Sequence, residues 1–73
     1  MEDSCTECDR LWREYAARTY AHLRLVSKQR IAALQNDSAS VSILDRREHE
    51  AEKERSDARA AFKAHESAHS PAA

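Results

Sequence analysis

The stretch Gln35-Asn36-Asp37-Ser38-Ala39-Ser40 interrupts an otherwise helix-forming chain, and its reading decides the fold. Asparagine tolerates the left-handed backbone that ends a helix. Aspartate and serine accept from the free amides that begin the next one. Outward from this stretch, the 56 residues between Cys8 and His65 contain neither glycine nor proline. Charged residues make up 34% of the chain and aromatics only 5%, a composition that favours long helices over a sheet. On the N-terminal side, Ser4 and Glu7 have the spacing of a capping box, which puts Cys5 at the first helical position. On the C-terminal side, Pro71 lies beyond the end of the second helix. The expectation is one all-α domain over 1–73, an antiparallel two-helix hairpin of coiled-coil type. Helix 1 spans about 4–35, the turn about 36–39 and helix 2 about 39–69.

A heptad count gives the faces. Alternate steps of three and four from Cys5 reach Cys8, Trp12, Tyr15, Thr19, His22, Val26, Gln29 and Ala33. The same steps back from His69 reach His65, Phe62, Ala58, Arg55, Ala51, Glu48, Leu44 and Val41. Folding between Asn36 and Asp37 sets Cys5 against His69, Cys8 against His65, Trp12 against Phe62 and Tyr15 against Ala58. The turn residues and the ligand spacing are separate features of the chain, and they agree. Thr19, His22, Glu48 and Arg55 make the middle of the seam polar, so it is too weak to zip by itself. Leu11, Leu25, Ile31 and Ile43 fall off the seam on this count. They suggest a second face that pairs two hairpins into a four-helix bundle, making a homodimer or another helical protein the expected partner.

Cys5, Cys8, His65 and His69 are the candidate metal ligands. Cysteines at i, i+3 and histidines at i, i+4 each share a helix face. Two thiolates and two imidazoles form the closed tetrahedral set of a structural zinc site, so Zn2+ is the expected cofactor. A chain of 73 residues gains only about 3–5 kcal/mol from its core, whereas structural zinc supplies about 10–16 kcal/mol in small peptides. Closing a loop of this length costs roughly 3–4 kcal/mol beyond a constant. A metal at the open end therefore stabilises a hairpin that is otherwise marginal.

Four other readings use the same residues. The C-x-x-C and H-x-x-x-H spacings are those of the Cys2His2 zinc finger, but the long interval departs from that family and nothing of its DNA-reading function carries over. His65-Glu66-Ser67-Ala68-His69 resembles the H-E-x-x-H motif of zinc metalloproteases, which implies Glu66 as general base. Two cysteines arriving in register would close the coordination position that such catalysis needs. Glu66-x-x-His69 also matches half of a carboxylate di-iron motif, without a second half. The C-x-x-C pair at a helix start suggests a thiol redox or metal-responsive protein, although the βαβ context of thioredoxin-like proteins is absent. His22 reads as a hydrogen-bonded seam residue and His49 as solvent-facing. The expectation is an interaction module rather than an enzyme.

The net charge of −1 argues against a nucleic-acid partner. It hides a division: residues 4–36 carry six basic and three acidic side chains, a balance of +3, and residues 37–70 carry six and eight, a balance of −2. Opposite signs favour pairing of the halves. The acidic start, Met1-Glu2-Asp3-Ser4-Cys5, has no apolar run of the signal-peptide kind, and nothing approaches a membrane span. A cytoplasmic location is expected, where paired cysteines bind metal more often than they form disulfides.

Overall fold

The computed structural model describes residues 5–69. They form two antiparallel helices, α1 (Thr6–Leu34) and α2 (Ser38–His69), packed along their length as an all-α hairpin. The molecule is a rod of 53 × 17 × 16 Å. Neither helix is long and apolar enough to cross a membrane. Ser4 and Pro71, which the sequence makes boundary residues, lie outside the described residues.

The turn is built by backbone capping. Asn36 holds a left-handed φ of 58°, which lets the chain reverse after α1 at modest cost for a short polar side chain. The Asp37 amide donates to the Ala32 carbonyl at 2.9 Å and the Asn36 amide to the Ala33 carbonyl at 3.1 Å. Together these form a Schellman motif, which satisfies two of the carbonyls left open at a helix end. Asp37 then starts α2. Its carboxylate accepts from the Ser40 amide at 3.1 Å and from the Ser40 hydroxyl at 2.7 Å. Those bonds hold the Asp37 carboxyl below its ordinary range. Three residues thus reverse the chain, and α2 begins at Ser38, within a residue of the expected start.

The seam on α2 follows the expected residues: Ala51 is buried, and Val41, Leu44, Glu48, Arg55, Ala58, Phe62 and His65 are half-buried. On α1 the pattern differs at alternate positions. Ala32 is buried while Ala33 is exposed, and Leu11 is half-buried while Trp12 stands more than half in water. Leu25 is also half-buried, beside Val26. The cause lies at Cys5. Its φ of −102° and ψ of 116° make it the N-cap, an extended residue before the helix rather than its first residue. The same steps begun at Cys8, inside the helix, keep Tyr15, His22 and Gln29 and pass through Leu11, Leu25 and Ala32. Leu11 and Leu25 therefore belong to the seam side.

The core is thin. Ala32 and Ala51 alone are buried among the described residues. Midway, the Arg55 guanidinium donates to His22 Nδ1 at 3.3 Å. The Gln29 amide donates to the Val41 carbonyl at 3.3 Å, with the Glu48 carboxylate close on its other side. Arg18 bridges the helices by donating to Glu54 at 3.2 Å and is also paired with Glu14 at 2.9 Å. Such exposed pairs contribute little each.

Candidate metal centre

The end of the hairpin opposite the turn carries both cysteines and two of the four histidines. Cys5 caps α1, and its Sγ accepts from the Cys8 amide at 3.3 Å. Cys8 is the third residue of the helix, the position whose free amide an N-cap side chain satisfies. A cysteine as cap thus does two things: it orients its sulfur over the helix start, and it brings both sulfurs to one side. From α2, His65 and His69 stand one turn apart, their rings 4.6 Å from centroid to centroid.

One ligand atom from each of Cys5, Cys8, His65 and His69 lies within 4.8 Å of the other three. Cys5 Sγ is 3.3 Å from His65 Nε2, and the two Nε2 atoms are 3.0 Å apart. Zinc–sulfur bonds of about 2.3 Å and zinc–nitrogen bonds of about 2.0–2.1 Å give tetrahedral edges of roughly 3.3–3.8 Å. The observed separations bracket that range, so the four side chains lie close enough to bind one metal ion. Cys5 reaches His65 more closely than the facing scheme of the sequence implies, because a capping residue lies off the helical path.

The electrostatics favour a cation. The His65 imidazole, and after it the Cys8 amide, lower the Cys5 thiol to about 6. Partial desolvation and the adjacent Cys5 sulfur push the Cys8 thiol up. Two sulfurs side by side resist carrying two negative charges, and a divalent ion removes that conflict. The carboxylates of Asp9 and Glu66 act on Cys8 in the same sense. Glu7 is paired with Arg10, which donates to it from Nε at 2.9 Å and holds its carboxyl down.

An aromatic layer underlies the site. Phe62 lies 5.5 Å from Trp12 and 6.4 Å from Tyr15 between ring centroids, and Trp12 meets Tyr15 edge-on at 5.9 Å. This layer packs the helices on the inner side of the cluster and limits water there. Cys5, Cys8 and His65 are half-buried, while His69 is exposed. The two remaining histidines stay apart from the centre: His22 is held by Arg55, and His49 is exposed. No described Cys, His, Asp or Glu beyond the four enters the cluster. The sequence misses the capping role of Cys5, although its signal is present, since C-x-x-C at a helix start is the spacing of an N-cap and its amide partner. Comparisons with protein-family models, with curated proteins and with solved structures find no match.

Proposed function

We propose that this protein is a small zinc-stabilised helical-hairpin interaction module, in which Cys5, Cys8, His65 and His69 hold a structural Zn2+ that ties the open end. The observation that carries this reading is the convergence of four ligand atoms within 4.8 Å at the end opposite a fully capped turn. Zinc is favoured over other divalent ions by the ligand set, since two thiolates and two imidazoles match its tetrahedral preference. The thin core supports the structural role, because a hairpin with two buried alanines has little else to hold its ends together. The module reading, with no catalytic role, is supported by the site itself. Cys5 and Cys8 fill the positions a reactive water would need, and Glu66 is exposed beside a closed set. A helical protein, a second copy included, fits this surface better than nucleic acid or a membrane, and a cytoplasmic location suits two free thiols.

The experiment is metal analysis of the purified reduced protein, with circular dichroism before and after chelation. About one zinc per chain, and loss of helix on chelation, is the expected result. Full helicity in a reduced, metal-free protein overturns it.

A second reading rests on the free, adjacent and only half-buried thiols of Cys5 and Cys8. In it the centre is a thiol switch: two zinc-bound thiolates, one hydrogen peroxide and two protons from solvent give one disulfide, two waters and the free ion. Stoichiometric zinc release on one equivalent of peroxide favours this reading. Retention of zinc under those conditions removes it.

A further inference from the structure

The apolar surface that α2 leaves uncovered lies on one line along α1. Trp12 is 53% exposed, Tyr20 71%, Leu23 52%, Ile31 55% and Leu34 84%. Ala16 and Ser27 fill the gaps between them. The steps are four, four, three, four, four and three, an eleven-residue period of 3.67 per turn. That period keeps a nearly straight stripe on an α-helix for about 33 Å at 1.5 Å per residue. At its wide end, Trp12, Ala16, Tyr20 and Leu23 line a shallow groove together with Tyr15 and Thr19.

The stripe is complementary to itself when reversed. With Leu23 set on a two-fold axis, Trp12 falls opposite Leu34, Ala16 opposite Ile31 and Tyr20 opposite Ser27. Every small residue then faces a large one, as close packing requires, and an interface made by one patch twice is the rule for two-fold dimers. Parallel alignment would set Ala16 on Ala16 and Ser27 on Ser27, leaving gaps. The size is sufficient as well. Aromatic side chains carry about 150–250 Å² and aliphatic ones somewhat less, so the exposed remainders come to roughly 500–600 Å² per copy. A pair then covers about 1,000–1,200 Å², the lower bound of a specific interface.

We propose that the stripe is the contact of a homodimer in which two α1 helices pack antiparallel about Leu23, burying Trp12, Tyr20, Ile31 and Leu34 of each copy against the other. The proposal gives the self-association expected of this module a defined face and stands independently of what the metal centre holds. Arg13, Arg24, Lys28 and Arg30 lie on the same helix, so like charges meet at the rim. Apolar burial therefore drives the association, and added salt relieves the repulsion.

The test is mass by light scattering on the metal-loaded protein, with zinc content and circular dichroism as folding controls. Wild type is expected at twice the chain mass of 8.3 kDa, with a mass that holds or rises as salt is added. Leu23→Glu, which sets two carboxylates on the axis, is expected to give monomer with helicity and zinc unchanged. Ala16→Ile is expected to weaken the dimer by at least about tenfold through overpacking. Ala16→Ile combined with Ile31→Ala is expected to restore it, because the antiparallel register exchanges the members of each pair. A monomeric wild type at about 100 μM, above the range of a standard interface, overturns the proposal. So does a dimer that survives Leu23→Glu, one that dissociates as salt rises, or a failure of Ile31→Ala to rescue.

Discussion

The two ends of the hairpin solve the same problem, that of holding α1 against α2, with different chemistry. At the turn the fastening is main-chain: two Schellman bonds and an Asp37 cap, all within the three residues Gln35–Asp37 and their neighbours. At the far end it is side-chain: two sulfurs and two imidazoles brought together across 60 residues of sequence. The turn depends only on its local sequence and needs no outside species. On the proposed reading the far end takes its strength from a bound ion, and so from conditions. Between them the polar layers of His22–Arg55 and Gln29–Glu48 hold little. Control over the hairpin therefore resides at one end. A hairpin closed covalently at its turn and conditionally at its mouth responds at the mouth.

The largest effect should come from removing the conditional fastening, which would leave the two ends as unlike as they can be. Cys5→Ser with Cys8→Ser should lower zinc affinity by well over about 100-fold, beyond the loss typical of outer-shell changes. Calorimetric titration measures the affinity, and circular dichroism should show helix loss first near the metal end. Next in size is replacement of the weak middle. His22→Leu with Arg55→Leu exchanges a partly buried polar pair for an apolar one and should stabilise the hairpin by about 2–3 kcal/mol. Thermal unfolding with and without chelator checks it, and the chelator's effect should shrink as the middle takes over.

Changes at the turn come third. Asn36→Ala puts a side chain without local hydrogen bonding into the left-handed region, at about 1–2 kcal/mol. Its effect should be equal with and without zinc, since the turn does not contact the centre. Asp37→Ala should lower the midpoint by a few degrees in both forms.

Smallest is the pH dependence of the metal-free protein, because water screens the half-exposed Cys5. Its thiol is depressed from 9.0 to about 6 in the fold, so the stabilisation is fully present above pH 9 and is lost as pH falls through about 6. Cys8, raised in the fold, acts with the opposite sign, its contribution fading as pH rises past its elevated value. Denaturant midpoints between pH 6 and 9 should therefore rise with pH, and Cys5→Ser should flatten the slope.

The sequence makes the hairpin legible because its decisive signals are local. Asn36 and Asp37 carry their conformational preference in their own side chains, and α2 keeps one phase from His69 back to Val41 because all of it is helical. The four candidate ligands are legible for the same reason, as short spacings on helix ends. What is not legible is the seam of α1 at Trp12 and Ala33, while Cys8, Tyr15, Thr19, His22, Val26 and Gln29 fall on it as counted. Those two positions depend on whether Cys5 lies inside or just before the helix, and one step of the count exchanges Trp12 for Leu11 and Ala33 for Ala32 on the inner face. Local spacing cannot separate Ser4 from Cys5 as the cap when both can accept a hydrogen bond. Tyr20 and Leu23 lie off the counted seam, and the outer stripe adds to them Trp12, whose ring meets Phe62 yet stays 53% exposed.

Cys5 and His69 lie at the same end of the rod, and this has a mechanical consequence. Tension reaching the hairpin from both directions of the chain meets at that end and acts across the helices rather than along them. In this geometry the layers separate in succession, from the sulfurs toward Asn36, and no layer shares the load of the one before it. The first element to resist is the four-ligand cluster. On the proposed reading a bound ion there sets the force at which the hairpin begins to open, with the Trp12–Tyr15–Phe62 layer next behind it and only weak polar layers beyond.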